Sequence, residues 1–348
     1  MFQPSQPARR SRHRSGIALG LAAALLAAAA TACSGSSNGL GSPDQPNLRV
    51  GLIDSIGAVP FQIGSSTTTH AFMDAGLNIS VQKFDNQQEE LAALASDKID
   101  IAYGEYAQFL NGSSTLATSD NIRVVSEGYD AGSGTIGLLK RTGFTLPTWG
   151  AGAGNAFNCN GSVSIVVPSK TGTEYLALAA WFQSLGSPLP TNCPAIVANP
   201  NPAQAIGAVA SHQATAAVLQ EPYVTAAEIS GGLQLDQDLA TGNASAVPVD
   251  GYFATKTFVT KYPHSTAIFA AVMAKLQASS GQRVVVETAL RNSGSGIDSR
   301  VIAAMQLGTY PSVVLPAKLD IVLRLMSNAG TVNGLLDSAK LTNLNPTG

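Results

Sequence analysis

The sequence predicts an α/β protein of two lobes, each with a parallel-rich sheet flanked by helices, and a hinge between them. Apolar segments of strand length alternate with helical patterns, which is typical of parallel sheets covered by helices. One helix–strand pattern also occurs twice along the 348 residues, and a chain of this length is sufficient for two domains. We therefore expect two lobes of similar design.

The repeated pattern starts at two predicted helix N-caps, Asn86 and Asn201, which lie 115 residues apart. Glu89 and Gln204 follow three residues after these caps, at the spacing of a capping box, and Pro202 suits the first position of the second helix. An apolar helical face, a polar break and a short apolar strand come next in both copies. Chance similarity is the alternative, but matching cap, face, break and strand at one offset favours the repeated design.

The predicted elements divide the chain into a first lobe at residues 47–130, a second lobe at 131–248, and a return to the first lobe at 249–345. The predicted strands are residues 48–53, 79–84, 99–103 and 122–126 in the first lobe, 163–167 and segments near Ile196 and Ala214 in the second, and 249–254 on the return. The C-terminal segment is mostly helical, and we expect its helices to pack onto the first lobe.

Residues 1–32 have the features of a secretory signal peptide. Four arginines and no acidic residue lie in this segment, and an apolar run at 17–30 is followed by small residues and a cysteine. Cys33 resembles the lipidated cysteine of a bacterial lipobox, although Ala30 stands where leucine is usual. Residues 33–46 are rich in Ser, Gly, Asn and Pro, as a flexible tether is. We expect an extracytoplasmic protein that is anchored by a lipid. The alternative is an ordinary secretory signal whose following cysteine is not lipidated.

The other two cysteines are predicted to form a disulfide. Cys159 and Cys193 both lie in predicted loops, and an extracytoplasmic compartment permits oxidation. A metal site is the alternative, but it needs further ligands, and no histidine lies between the two cysteines. We expect neither a metal nor a cofactor.

Enzymatic function is not expected, because the apparent catalytic motifs lie in the wrong structural context. A G-x-S-x-G match at residues 35–39 falls in the tether with no strand before it, and a G-x-G-x-x-G match at 132–137 runs into a strand instead of a helix. The four histidines are far apart in the sequence. Without residues 1–32 the chain has 16 basic and 22 acidic residues and no basic aromatic patch, so nucleic-acid binding is not expected.

Four local patterns resemble the extracytoplasmic solute-binding proteins of ABC importers. They are Leu-Arg-Val-Gly at residues 48–51, the Ala- and Leu-rich segment ending in Ile-Asp-Ile-Ala at 92–102, Gln-Glu-Pro-Tyr at 220–223, and the segment at 253–263. The nearest subgroup binds aliphatic sulfonates, nitrate, taurine and thiamine precursors. The resemblance implies a type II periplasmic-binding-protein fold, a small-molecule ligand and an ABC permease partner for a protein expected to be monomeric. A lipid-anchored solute sensor or a structural envelope lipoprotein is the alternative.

The predicted binding residues come from the ends of strands, because open parallel sheets bind ligands beyond their carboxyl edges. They are Ser55, Tyr103 and Glu105 from the first lobe, Ser169, Thr171, Thr173 and Glu221 from the second, and Tyr252 from the return strand. Ser169 to Thr173 is the candidate anion site, since it opens a predicted helix; plain N-capping by Thr171 or Thr173 is the alternative. Glu221 either binds the ligand or caps a helix, and Tyr103 either binds the ligand or covers the core.

The charges at these strand ends predict a ligand that is neutral or carries an amine. Five of the ionisable groups are acidic (Asp54, Glu105, Glu127, Asp130 and Glu221), and Lys170 is the single basic one. Bidentate recognition of sulfonate or carboxylate usually employs arginine, and these loops contain none. A planar ligand would stack on Tyr103 or Tyr252. The alternative is that several of the acids face solvent and do not affect binding.

Overall fold

A computed structural model describes residues 40–111, 116, 118, 120–147, 159, 163–190, 192–332 and 336–345. The chain divides into a segment, Met1–Gly41, and a compact unit, Ser42–Gly348. The predicted signal peptide, Cys33 and the first part of the tether lie outside the described residues. Within the described part, no helix is both long and apolar enough to span a bilayer.

Two five-stranded sheets form the framework of the unit Ser42–Gly348. The first sheet has the order β2-β1-β3-β10-β4, with β1 at Asn47–Leu52, β2 at Asn78–Lys83, β3 at Ile101–Glu105, β4 at Ile122–Asp130 and β10 at Pro248–Thr255. The second has the order β7-β6-β8-β5-β9, with β5 at Ile136–Arg141, β6 at Ile165–Val167, β7 at Ile196–Ala198, β8 at Ala216–Gln220 and β9 at Leu233–Asp238. We call each sheet and its flanking helices a lobe.

The two sheets share one topology. In each, three neighbouring strands are parallel, and the next strand is antiparallel to both of its partners. That antiparallel strand is β10 in the first lobe and β5 in the second, so each lobe receives one strand from the part of the chain that crosses over from the other. The parallel-rich, two-lobed α/β fold predicted from the sequence is confirmed.

The predicted repeat has a structural counterpart. Helix α3 (Gln87–Ala95) is capped by the Asn86 side chain, which accepts a hydrogen bond from the Glu89 amide; helix α6 (Pro202–Ala210) is capped in the same way by Asn201 and the Gln204 amide. Asp97 and His212, also 115 residues apart in sequence, both adopt positive φ angles, 53° and 66°, at the breaks that follow these helices. Strands β3 and β8 come next at the same offset.

The remaining helices of the first half and the middle of the chain cover the sheets. They are α1 at Val59–Gly64, α2 at Ala71–Asp74, α4 at Tyr106–Phe109, α5 at Thr173–Ser184 and α7 at Tyr223–Ser230, with 3-10 turns at Ile56–Ala58 and Gly242–Ala244. A disulfide joins Cys159 to Cys193. Its two cysteines are the pair that the sequence suggested.

The C-terminal helices contact both lobes. They are α8 at Lys256–Lys261, α9 at Pro263–Ser280, α10 at Arg283–Asn292, α11 at Ser299–Ala304, α12 at Pro316–Ala329 and α13 at Ser338–Thr342. Helices α9 and α10 pack on α1 of the first lobe, as expected, whereas α11 contacts α7 and α12 contacts α5 of the second lobe. The expectation that all of them return to the first lobe is therefore only partly right, and one continuous apolar core includes residues from both sheets.

Candidate functional site

The carboxyl ends of the parallel strands in both lobes meet at one place. In the first lobe, β1 leads to Ser55 and the turn Ile56–Ala58, and β3 ends at Glu105; in the second, residues 168–172 connect β6 to α5. Ligands of open α/β sheets bind beyond these strand ends. We call the following group the interlobe site: Ser55, Tyr103, Glu105, Ser169, Thr171, Thr173, Glu174 and Asp250.

Glu105 connects the two lobes. Its Oε2 accepts hydrogen bonds from the Thr173 amide at 3.1 Å and from Thr173 Oγ1 at 3.3 Å. The N-cap of α5 is Gly172, which makes no side-chain capping bond, so a carboxylate from the other lobe satisfies amide groups at this helix end. Negative groups are stabilised there by the exposed amides and the helix dipole. Neither Thr171 nor Thr173 is the N-cap, and that predicted alternative is wrong.

Ser169 and Thr171 form a polar turn beside this contact. The two hydroxyl oxygens are 3.0 Å apart, and Ser169 Oγ also accepts from the Thr171 amide at 3.2 Å. The predicted anion candidate therefore has the expected local geometry at the start of α5. In the closed arrangement, however, the place of the anion is taken by Glu105.

Glu174, the second residue of α5, is a buried carboxylate that the sequence did not suggest. The residue is 4% exposed, and its Oε2 has no hydrogen-bond partner among the described residues. A methyl group built on Gly172 would lie 3.1 Å from Glu105 Oε2 and 3.4 Å from Glu174 Oε2, so the two oxygens flank one point. Burial, followed by the charge of Glu105, raises the pKa of Glu174 to about 8. Burial also raises the pKa of Glu105, although the hydrogen bonds from Thr173 act to lower it.

Asp250 on β10 forms the floor of the site in the first lobe. It pairs in the sheet with Glu105 on β3, and its side chain lies beside the Tyr103 hydroxyl, which also makes a 2.7 Å hydrogen bond to Ser55 Oγ. The chain passes close over this group at Gly57, where a Cβ would be 2.5 Å from Asp250 Oδ1. Asp250 Oδ1 has no partner in the described part of the structure. Burial raises the pKa of Asp250 well above its ordinary value.

Two further carboxylates lie behind Asp250 at the end of β4. Glu127 accepts a hydrogen bond from the Tyr106 hydroxyl, and burial, partly offset by that bond, raises its pKa to about 8. Asp130 is bound at 2.9 Å by Lys318 Nζ from α12. Burial still raises the pKa of Asp130 despite this partner.

The two predicted tyrosines are core residues in this arrangement. The rings of Tyr103 and Tyr252 pack at 4.9 Å between centroids, and Tyr252 also contacts Phe61 and Phe269. Both side chains are fully buried. Tyr103 presents its hydroxyl to the site, whereas the ring of Tyr252 belongs to the aromatic core of the first lobe, so stacking of a ligand on Tyr252 does not fit its position.

Glu221 is fully engaged within the protein. It accepts hydrogen bonds from the Thr225 amide and hydroxyl at 3.1 and 2.7 Å, which caps α7, and from the Gln306 amide at 2.9 Å. Gln306 belongs to the segment between α11 and α12, whose Thr309 forms a β-bridge with Asp130. The position of Glu221 therefore favours the capping alternative over ligand binding.

The charges at the site differ in several respects from the sequence-based expectation. Asp54 is exposed and forms an ion pair with Lys83 at 2.7 Å, so it faces solvent and does not belong to the acidic group. Lys170 is exposed as well. The buried acids are instead Glu127, Asp130, Glu174, Glu221 and Asp250, and Glu105 is partly buried. In the described part of the chain, Lys318 forms an ion pair with one of them, Asp130.

Two small cavities lie elsewhere along α5. Each has a volume of about 50 Å³, and one lies between α5 and α12 and the other beside the turn Gly242–Ala244. Neither is lined by residues of the interlobe site. Among the described residues, no group of three or more His, Cys, Asp or Glu is arranged to hold a metal ion.

The sequence pattern predicted binding residues at the strand ends but gave no indication of Glu174, Asp250 and Lys318. Glu174 and Asp250 lie inside a helix and a strand, where a single polar residue usually faces solvent. One available signal was the cap position of α5: a glycine without a capping side chain, followed by an acidic residue in the first turn, leaves room for a carboxylate from another element. Lys318 is 188 positions from Asp130 in sequence, and no local pattern connects them.

Comparisons with known proteins concern the family and the fold of the chain. The model of the NMT1-like family matches residues 41–291. No curated protein matches the chain at a significant level. Many solved structures do match, at identities that establish the fold alone.

Three of these structures illustrate the likeness. The periplasmic nitrate-binding protein NrtA from Synechocystis PCC 6803 has a TM-score of 0.70 at 13% identity, covering 87% of this chain and 88% of its own. The aliphatic sulphonate binding protein SsuA from Escherichia coli has a TM-score of 0.64 at 16% identity, covering 86% and 92%. A ligand binding component of an ABC-type import system from Staphylococcus aureus has a TM-score of 0.65 at 14% identity, covering 86% and 97%.

Proposed function

The chain belongs to the NMT1-like family, and we propose from this that it is the solute-binding receptor of an ABC importer. The observation that carries the proposal is the interlobe site, where the strand ends of two similarly built lobes meet. Such sites bind small molecules between the lobes. The resemblance in the sequence and the fold of its structural neighbours support the same function.

The proposed mechanism is ligand-dependent closure. A solute that contacts both lobes binds the closed form better than the open form, and this difference shifts the hinge equilibrium toward closure. The contact between Glu105 and Thr173 is made only when the lobes are together. The permease would then recognise the surface of the closed receptor and accept the solute from it.

We further propose that the solute is neutral or carries an amine. The interlobe site contains the buried carboxylates of Glu174 and Asp250, whose pKa values are raised by burial, and the anion-binding end of α5 is already filled by Glu105. An anionic solute would have to displace Glu105 and remain beside Glu174 and Asp250, where like charges repel. A protonated amine would instead reduce this repulsion and supply donors for the unpartnered oxygens.

We propose that the receptor is extracytoplasmic and anchored by a lipid on Cys33. The support is the order of basic residues, apolar run, small residues and cysteine in residues 1–33. A Cys33→Ala variant should appear in the culture fluid or remain unprocessed, while the wild-type protein fractionates with membranes and carries a lipid mass on Cys33. Soluble wild-type protein with an unmodified cysteine would contradict the anchor without affecting solute binding.

Thermal-shift screening tests the receptor function and the ligand class together. Amines and neutral heterocycles should raise the melting temperature by several degrees, because a ligand at 100 times its Kd adds about 2.7 kcal/mol to the native state. Taurine, nitrate and ethanesulfonate should have little effect. Stabilisation by these anions alone would preserve the receptor function and reject the ligand class.

A lipid-anchored solute sensor or a structural envelope lipoprotein is the second candidate function, and the structural role is favoured if no solute binds. Native mass spectrometry of freshly purified protein would reveal a co-purified small molecule. If none is found and no compound of any charge class shifts the melting temperature, the receptor proposal fails. Loss of solute uptake in a deletion strain would separate import from sensing.

A further inference from the structure

Two carboxylates from opposite lobes lie near each other in the interlobe site, and among the described residues no lysine or arginine forms an ion pair with either of them. Glu105 comes from the end of β3 in the first lobe, and Glu174 comes from the first turn of α5 in the second. One oxygen of each lies within 3.4 Å of the point that a Cβ on Gly172 would occupy. Opening the hinge would separate them, because each belongs to a different lobe.

The acceptors of this pair are not all used. Glu105 Oε2 is bound by Thr173, and Glu174 also contacts Gln220. Glu174 Oε2 is buried and has no hydrogen-bond partner in the described part of the chain. A buried acceptor without a hydrogen-bond partner destabilises the protein, so a ligand that donates a hydrogen bond to Glu174 Oε2 would be favoured.

No lysine or arginine of the neighbouring elements neutralises the pair in the described part of the structure. Lys318 on α12 is bound to Asp130, Lys140 on β5 is bound to Asp236 at 2.5 Å, and Lys170 before α5 is exposed. The nearby charges from β4 and β10 are Glu127, Asp130 and Asp250, all acidic. Glu105 is the charge that acts on Glu174.

We propose that Glu105 and Glu174 close the lobes by holding one positive charge between them, a proton in the ligand-free receptor and the ammonium group of the solute in the loaded one. This proposal rests on the receptor function and names the chemistry of its solute. On loading, the ammonium group enters and the proton leaves to water, so the charge of the pair is unchanged. An ammonium ion suits the place better than a metal, since the described residues offer no cluster of metal ligands.

The proposal predicts that ligand-free closure depends on pH. A carboxylate whose pKa is higher in the closed form than in the open form favours closure below its ordinary pKa, and this contribution is lost as pH rises through the higher value. For Glu174 the window runs from 4.5 to about 8. Within it the ratio of closed to open protein should fall by up to about tenfold per pH unit.

Small-angle X-ray scattering of the purified protein measures the change. In sodium chloride the wild-type protein should be compact at pH 5.5 and expanded at pH 8.5, and replacing sodium with ammonium chloride at pH 8.5 should restore the compact form. Glu174→Gln mimics the protonated carboxyl, so it should be compact in all three solutions. Glu89→Gln, at an exposed position on α3, is the matched control and should behave as the wild type does.

Two results would overturn the proposal. One is wild-type protein with the same radius of gyration at both pH values; the other is Glu174→Gln that responds to pH or ammonium as the wild type does. The wild-type pH series tests the proposal even if the variant folds poorly. Ethanesulfonate, measured beside ammonium, distinguishes a failure of the carboxylate-pair proposal from a failure of the receptor function. If this anion makes both the wild-type protein and the variant compact, the receptor function is retained and the carboxylate pair is rejected.

Discussion

Lys318→Met should destabilise the protein strongly at neutral pH, because Lys318 is the cation bound to the buried carboxylate of Asp130. The ammonium group lies 2.9 Å from Asp130 Oδ2, and the Asp130 side chain is 1% exposed. Lys318 also donates to the Ala246 carbonyl at 3.3 Å. Methionine keeps the length and the apolar stem of lysine, so the substitution removes the charge with little change in packing.

The size of the effect follows from the ionisation of Asp130. Without Lys318, the carboxylate either stays charged in a buried place or takes up a proton. The free energy needed to protonate it sets an upper limit on the loss of stability. Keeping a group with an ordinary pKa of 3.8 neutral at pH 7 costs about 4 kcal/mol, at about 1.4 kcal/mol per pH unit. Because burial already raises this pKa in the wild type, we expect a loss of about 2–3 kcal/mol.

The loss should shrink on acidification. A carboxyl whose pKa is raised by folding weakens the native state increasingly as pH rises above its unfolded value, and removing Lys318 raises that pKa further. At pH 5 the limit falls to about 1.5 kcal/mol, since the pH is then closer to 3.8. The stability of Lys318→Met should therefore approach that of the wild type between pH 7 and pH 5.

Urea unfolding of both proteins at pH 7 and pH 5 measures these differences, with unchanged m-values as the condition for comparing them. Lys340→Met is the matched control. Lys340 pairs with Asp120 at 3.5 Å, but both side chains are exposed, 57% and 73%, so its loss should cost less than about 0.5 kcal/mol. Equal costs for the two variants at pH 7, or a Lys318→Met cost that does not change with pH, would refute the reasoning.

Three further predictions concern the framework of the site. Replacing either cap, Asn86 or Asn201, with alanine should cost about 1 kcal/mol of unfolding free energy, whereas serine should retain most of it; no loss with alanine would contradict the capping role. Reducing the Cys159–Cys193 disulfide, which spans 34 positions, should lower stability by about 3–4 kcal/mol, and intact-mass analysis that found two free thiols would reject the bridge. Glu221→Gln should lower the melting temperature of the free protein but leave solute-induced shifts intact; loss of the shifts alone would return Glu221 to the binding site.

The repeated framework was predictable because its signals are local. Asn86 and Asn201 each cap a helix through an amide three residues away, and the apolar face that follows needs no knowledge of the rest of the chain. Strand β9 at Leu233–Asp238 was missed, since polar residues make up most of it. Its place is fixed by pairing with β5, which is a long-range contact.

The candidate site was predictable in position but not in chemistry. The rule that ligands bind beyond strand ends led to Glu105 and Ser169, whose binding role stays a prediction, whereas it could not tell exposed acids from buried ones. Asp54 and Asp250 illustrate this: the first faces solvent beside Lys83, and the second lies under Gly57 with an unpartnered oxygen. Burial of a charged side chain depends on which elements cover it, and those elements are distant in sequence.

The buried acids connect the stability of the protein with its proposed function. Glu127 accepts a hydrogen bond from Tyr106, and Asp130 Oδ2 forms an ion pair with Lys318 of α12, although Asp130 Oδ1 has no hydrogen-bond partner among the described residues. Glu105 and Glu174, by contrast, belong to different lobes, and no lysine or arginine of the described residues pairs with them. Asp130 has a permanent partner in Lys318, whereas a pair of carboxylates that is brought together and buried only on closure is left for a ligand. This difference in partners is the physical reason for assigning Lys318 to the framework and the Glu105–Glu174 pair to the solute.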